Sequence, residues 1–105
     1  MDKIPDRIKT ILDSYVAALR KSDIPIDSAF LFGSYSKGTP DEWSDIDIAL
    51  VSDSFTGDRI SDRDRIRTFT RHVSSLIEVI PFARSDFNEG NPFAREIMRT
   101  GIRIL

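Results

Sequence analysis

Two aspartates, Asp45 and Asp47, lie in the apolar segment DIDIALV, whose composition is otherwise that of a buried strand. Side chains alternate faces along a strand, so both carboxylates point the same way, with roughly 6.5–7 Å between their Cα atoms. Burying carboxylates without partners is costly. Arginine or lysine partners would offset that cost, and so would a hard cation such as Mg²⁺, which prefers oxygen ligands. The pattern therefore indicates either an ion-paired or a metal-binding pair.

A Gly-Ser pair, Gly33 and Ser34, ends the preceding apolar segment, and ten residues separate Ser34 from Asp45. Glycine lets the backbone approach a phosphate closely, and the N–H groups of a following helical turn point at an anion. Taken alone, such a pair is most simply a turn. Beside the aspartates, it is the candidate phosphate end of a metal–phosphate site.

A third acid, Glu78, lies in the middle of another apolar segment, LIEVIPF. If that segment pairs beside the aspartate strand, Glu78 reaches the same site. Three carboxylates at one point repel one another strongly unless a cation binds. We therefore expect a metal there.

The elements that must position these residues follow from periodicity and from turn residues. Apolar residues at helical spacing predict a helix from about Pro5 to Lys21, and a second from about Ser61, where Ser61 and Asp64 resemble a capping box. Asn91, Pro92 and Gly101 mark the start and end of a last helix. Strands are predicted at SAFLF, DIDIALV, LIEVIPF and IRIL. The alternation predicts one sheet with flanking helices.

The whole chain has the composition of one soluble globular domain. It has 105 residues, 40% hydrophobic and 30% charged, with a net charge of −2 and no cysteine. These values exclude a disulfide framework and disfavour extended nucleic-acid binding. A charged N-terminal stretch and the lack of a long apolar segment predict a cytoplasmic protein without a membrane span.

The run DRISDRDRIRTFTR has two interpretations. The first is a solvated helix face whose internal ion pairs contribute little. The second is a basic surface for an acidic partner. Trp43, just before the aspartates, is interpreted as packing the loop onto the domain, or alternatively as stacking on a nucleobase.

The spacing G-S-x10-D-x-D, with the later IEVIPF, resembles the minimal nucleotidyltransferases of the DNA polymerase beta superfamily. The tail FAREIMRTGIRIL is also similar to the family's closing helix, glycine and strand. The resemblance covers nearly the whole chain. It implies a single small α/β nucleotidyltransferase domain over residues 1–105, with a mixed sheet of about four strands and flanking helices.

The resemblance also implies roles for individual residues. Gly33 and Ser34 would hold the β- and γ-phosphates of a nucleoside triphosphate, with Lys37 as a further nucleotide contact. Asp45 and Asp47 would bind two Mg²⁺ ions, with Mn²⁺ as an alternative. Glu78 would be the third acid, which binds the catalytic metal and helps activate the attacking hydroxyl.

Two positions depart from the family pattern. The third acid is commonly Asp, and Glu78 is one methylene longer. Lys37 stands where Arg is frequent, so the charge is kept but the bidentate fork is lost.

These roles predict a transferase that moves a nucleotide, AMP if the donor is ATP, onto a macromolecular acceptor by two-metal chemistry. The family further implies the antitoxin of a pair with a HEPN-domain protein, and thus a hetero-oligomer. The alternative is a binding module that neutralises or regulates its partner by contact. Modification of a small molecule such as an aminoglycoside is a weaker third hypothesis, because such relatives usually carry an additional substrate domain.

Overall fold

The computed structural model describes residues 4–33 and 45–105. Within these ranges the elements are α1 (Asp6–Lys21), β1 (Ser28–Phe32), β2 (Ile46–Ser52), α2 (Arg59–Val73), β3 (Ile77–Ala83), a 3₁₀ turn (Arg84–Asp86), α3 (Pro92–Thr100) and β4 (Ile102–Arg103). The order matches the predicted alternation of helices and strands. The short helical turn predicted after Ser34 lies outside the described residues.

The four strands form one mixed sheet in the order β3-β2-β1-β4. β1 runs antiparallel to both of its neighbours, whereas β2 and β3 are parallel. Parallel neighbours require a crossover connection, which α2 supplies here. The mixed four-stranded sheet predicted from the sequence is therefore confirmed.

The two faces of β2 contribute to two different apolar clusters. Ile46, Ile48 and Leu50 belong to the larger cluster, which includes the buried faces of α1 and α2. Ala49 and Val51 belong to the smaller cluster, which α3 covers on the other side of the sheet. The alternation predicted for DIDIALV is thus correct, and it places Asp47 on the α3 side.

The last helix begins and ends where the sequence predicts. The side chain of Asn91 accepts hydrogen bonds from the N–H groups of Phe93 and Ala94, and Pro92 occupies the first turn. Gly101 follows the helix and donates its N–H to the carbonyl of Ile97. These caps fix the position of α3 over the smaller cluster.

The predicted N-cap of α2 is wrong, and the helix begins two residues before the predicted start. The helix begins at Arg59 rather than near Ser61, and Asp58 is its N-cap, accepting from the N–H groups of Ile60 and Ser61. The predicted capping box of Ser61 and Asp64 is replaced by this upstream aspartate. The apolar periodicity becomes clear only at Ile66, because Ile60 in the first turn is exposed and does not belong to the buried stripe.

No helix in residues 4–33 or 45–105 combines the length and apolar character that crossing a membrane requires.

Candidate active site

The register of the sheet brings Asp47 and Glu78 side by side. Asp47 is the second residue of β2, and its partner across the parallel pair is Glu78 of β3. Residues paired in register point to the same face of a sheet, and neighbouring strands lie about 4.8 Å apart. The strand of Glu78 thus pairs beside β2, which is the condition that the sequence analysis set for Glu78 to lie near Asp47.

Asp45 lies immediately before β2 rather than inside it, and it is exposed. Even so, its charge acts on Asp47. Partial burial, followed by the negative charges of Asp45 and Glu78, raises the pKa of Asp47 above its usual value. Asp45 and Glu78 are therefore close enough to disfavour the ionised form of Asp47, and a cation placed beside Asp47 would relieve that repulsion.

Gly33 closes the site from the end of β1. Its φ is +73°, a left-handed conformation that glycine adopts without steric cost. A Cβ built on Gly33 would overlap Oδ2 of Asp47. The glycine is thus required for two reasons, its backbone conformation and the close approach of the Asp47 carboxylate.

Glu78 also forms an ion pair with an arginine of α2, which the periodicity of the sequence did not predict. Its Oε1 accepts a hydrogen bond from Nη2 of Arg63 on α2, at 3.2 Å, and both side chains are about half exposed. From the sequence, arginine or lysine partners were one way to compensate the aspartates. The structure instead pairs Arg63 of α2 with Glu78.

The oxygen ligands of Asp45, Asp47 and Glu78 suit a hard cation, although the three side chains do not point to one position. Carboxylate oxygens are preferred ligands of Mg²⁺. Within the described ranges, no three side chains of His, Asp or Glu stand close enough together to hold a metal ion. Glu78 would have to turn from Arg63 towards Asp47 to complete a set of three with Asp45.

Three of the residues discussed above, Ser34, Lys37 and Trp43, lie outside the described ranges. The roles expected of Ser34 and Lys37 in phosphate binding stay predictions. The same holds for the packing or stacking role of Trp43.

An aromatic cluster lies next to the site, and its contacts were not predicted from the sequence. Phe93 packs edge-on to Phe32, 6.0 Å between ring centroids, and contacts Phe82 at 5.8 Å. The guanidinium of Arg59 lies over both Phe82 and Phe93, at 5.7 and 5.6 Å. Since Phe32 pairs with Asp47 in register, this cluster anchors the wall of the site to α3.

A family model, the nucleotidyltransferase domain, matches residues 6–99 of the chain. The chain belongs to this family. The match extends from α1 into α3 and so includes every residue of the candidate site. Among curated proteins, no significant match is found.

A solved structure supports the fold of this nucleotidyltransferase domain. The crystal structure of a proposed nucleotidyltransferase from Sulfolobus solfataricus is similar to it with a TM-score of 0.60 and 22% sequence identity. The similarity covers 94% of this chain and 78% of the other. At this identity the comparison shows that the two share a fold.

Proposed function

We propose that this domain is a Mg²⁺-dependent nucleotidyltransferase that transfers AMP from ATP to a hydroxyl group of a macromolecular acceptor. The observation that carries the proposal is the arrangement around Asp47. Its carboxylate lies against the backbone of Gly33 and beside Glu78 in register, with Asp45 two residues away. Gly33 and the three acids thus lie at one end of the sheet, which supports a phosphate-binding role for the turn that begins at Gly33.

In this proposal each residue of the site has a separate role. Asp45 and Asp47 would hold the cation, and Gly33 with Ser34 would hold the β- and γ-phosphates. When bound, Mg²⁺ would supply charge neutralisation for the triphosphate and a lowered pKa for the acceptor hydroxyl. Glu78, released from Arg63, would accept the proton of that hydroxyl.

The bond changes follow from in-line displacement. The acceptor oxygen forms a bond to the α-phosphorus, and the bond from that phosphorus to the bridging oxygen of the β-phosphate breaks. Pyrophosphate leaves with the electron pair of the broken bond. The role of this domain's side chains is to align the nucleotide and take up the proton.

The biological setting that we propose is a cytoplasmic toxin–antitoxin pair, in which the acceptor or its presenting subunit is a HEPN-domain protein. The support for this setting is the sequence resemblance to minimal nucleotidyltransferases. Membership in the nucleotidyltransferase family is compatible with it and with other acceptors.

Label transfer tests the enzyme proposal. The protein is incubated with Mg²⁺, a lysate of its own cell, and ATP labelled at the α- or the γ-phosphate. We expect α-label but not γ-label on a discrete acceptor band. Asp45→Asn/Asp47→Asn should abolish the transfer, whereas the charge-matched control Asp13→Asn/Asp23→Asn, at exposed positions in and after α1, should keep it. Absence of transfer with every nucleotide would refute the proposal.

A second candidate, a module that acts by contact alone, is favoured by one observation. The carboxylate of Glu78 is bonded to Arg63 rather than turned towards Asp47. If Asp45→Asn/Asp47→Asn still neutralises a co-expressed HEPN-domain partner in cells, contact suffices and the enzyme proposal fails. Loss of neutralisation in this variant, with the Asp13→Asn/Asp23→Asn control active, would support catalysis.

A further inference from the structure

Beside Glu78, a groove of about 470 Å³ separates α2 from the start of β3, and we call it the arginine groove. Arg63, Arg67 and Arg71 line one wall of it. These arginines are spaced four residues apart, so they follow one side of α2 with about 6 Å of helix rise between neighbours. Ser74 and Ser75, which connect α2 to β3, line the groove as well.

The charges in the groove are only partly compensated. Arg67 pairs with Asp64 on the same helix, and Arg63 pairs with Glu78. The side chain of Arg71 forms neither a hydrogen bond nor an ion pair with any residue in the described ranges. Three guanidinium groups therefore face two carboxylates, and one of those two, Glu78, belongs to the candidate active site.

From this arrangement we infer that the arginine groove binds an acidic polypeptide segment of the acceptor protein, in an extended conformation, next to the candidate active site. The inference deepens the proposed function, on which it rests for the role of the bound protein as acceptor. The proposed function does not itself specify how an acceptor is recognised.

Spacing favours an extended acidic segment. Side chains two residues apart on an extended chain point the same way and lie roughly 6.5–7 Å apart. This distance is close to the rise of about 6 Å between successive arginines of the groove. Acidic residues at every second position could each meet one guanidinium group, whose planar fork matches a carboxylate.

The groove is less suited to nucleic acid. Single strands are held by basic grooves together with aromatic side chains on which bases stack. The apolar members of the lining are Ile60 and Ile77, without an aromatic residue among the described residues that line it. The net charge of −2 for the whole chain would also repel a phosphodiester backbone beyond the groove.

Arg63 connects the groove to the chemistry. An acidic side chain of the bound segment would compete with Glu78 for this guanidinium. Glu78 would then be released towards Asp47, so that binding of the acceptor and completion of the carboxylate set favour each other. Arg67 and Arg71 lie farther along α2 and serve as test positions outside the candidate active site.

The test measures fluorescence anisotropy of a short labelled peptide in which Glu and Ser alternate. Its controls are the same peptide with Gln in place of Glu and a labelled oligothymidine. We expect Arg67→Glu/Arg71→Glu to weaken binding of the acidic peptide about tenfold or more. Arg95→Glu/Arg99→Glu on α3 is the matched control. Its two arginines are also exposed and four residues apart, and one of them, Arg99, forms an i,i+3 ion pair with Glu96 as Arg67 does with Asp64.

Equal weakening by the two double variants, or no binding by the wild type, would overturn the inference. Preference for oligothymidine with the same arginine dependence would overturn the assignment of an acidic peptide. A parallel titration with Mg-ATP separates this inference from the proposed function. If Arg67→Glu/Arg71→Glu abolishes ATP binding and spares the peptide, the groove is a nucleotide site. If the peptide binds as expected but no acceptor becomes labelled in the label-transfer experiment, the peptide-binding role of the groove is supported and the enzyme proposal fails.

Discussion

At the scale of single residues, the site depends most on Asp47. It is half-buried on the sheet, and its neighbours Asp45 and Glu78 carry the same charge. A carboxylate in this position costs stability, because burial and like charges both disfavour its ionised form. Proteins accept such a cost where function requires the group. We therefore interpret the destabilised carboxylate as a sign of function.

The raised pKa of Asp47 predicts a pH-dependent stability difference. A carboxyl group whose pKa is higher in the folded state destabilises the fold when ionised, so its cost is present at neutral pH and disappears as pH falls below the usual 3.8. Asp47→Asn should therefore raise Tm at pH 7 without metal, with the gain vanishing in acid. Asp13→Asn, which changes net charge equally on the surface of α1, should leave Tm nearly unchanged. Thermal melts followed by circular dichroism between pH 3 and 8 measure this, and an equal gain in both variants would contradict the local origin.

Gly33→Ala should strongly destabilise the fold, although Gly33 lies at the end of a strand. Alanine at a left-handed φ of +73° costs about 1–2 kcal/mol, and its Cβ would also displace the carboxylate of Asp47. Urea denaturation should show at least this loss in the free energy of unfolding. Gly90→Ala, at a loop glycine without a positive φ, is the control, and a comparable loss there would remove the argument from backbone conformation.

At the scale of elements, the start of α2 is held by aspartates rather than by hydrophobic contacts. Asp62 is 2% exposed. Its carboxylate accepts hydrogen bonds from the N–H and hydroxyl groups of Thr56 and from the N–H of Gly57. This network ties the loop after β2 to the first turn of α2, and so it fixes where Arg63 stands relative to Glu78.

Replacing Asp62 should loosen that attachment. In Asp62→Asn one carboxylate oxygen becomes an amide nitrogen that cannot accept from these donors, so we expect a loss of about 1–3 kcal/mol. Asp64→Asn, two residues later and exposed, should cost far less, since its ion pair with Arg67 is at the surface. Denaturation curves of the two variants measure the contrast, and similar curves would show that the buried network contributes little.

The sequence predicts the elements that have a periodic pattern of apolar residues. It does not predict features that depend on contacts between residues far apart in the chain. The strands of Asp47 and Glu78 were predicted because alternation and apolar runs are local signals. The N-cap of α2 was not predicted correctly, because Asp58 precedes a first turn without apolar periodicity. The burial of Asp62 and the pair of Arg63 with Glu78 depend on how the crossover packs, which no local pattern encodes.

At the scale of the whole molecule, the sheet separates two apolar clusters and leaves the candidate site at one end. α1 and α2 cover one face and α3 the other. The buried hydroxyl of Tyr15 bonds that of Thr70 at 2.6 Å and joins the first two helices, and burial raises the pKa of Tyr15 to about 12. Stability thus comes mainly from contacts away from the carboxylates of Asp45 and Asp47.

Ligand binding should therefore appear as a gain in stability of the whole domain. A ligand at 100 times its Kd stabilises the folded state by about 2.7 kcal/mol, and Tm rises accordingly. We expect Mg²⁺ with a non-hydrolysable ATP analogue to raise the Tm of the wild type. Asp45→Asn/Asp47→Asn should begin from a higher Tm without ligand, because repulsion is removed, and should gain nothing on addition.

The comparison with Arg67→Glu/Arg71→Glu makes this measurement specific to the site. That variant keeps all three carboxylates, so its Tm should rise with Mg²⁺ and the analogue as the wild type does. A chelator added afterwards should return both proteins to their starting values. A ligand-dependent rise that persists in Asp45→Asn/Asp47→Asn would mean that the nucleotide binds elsewhere on the fold, and the carboxylates would then need another explanation for their shared position.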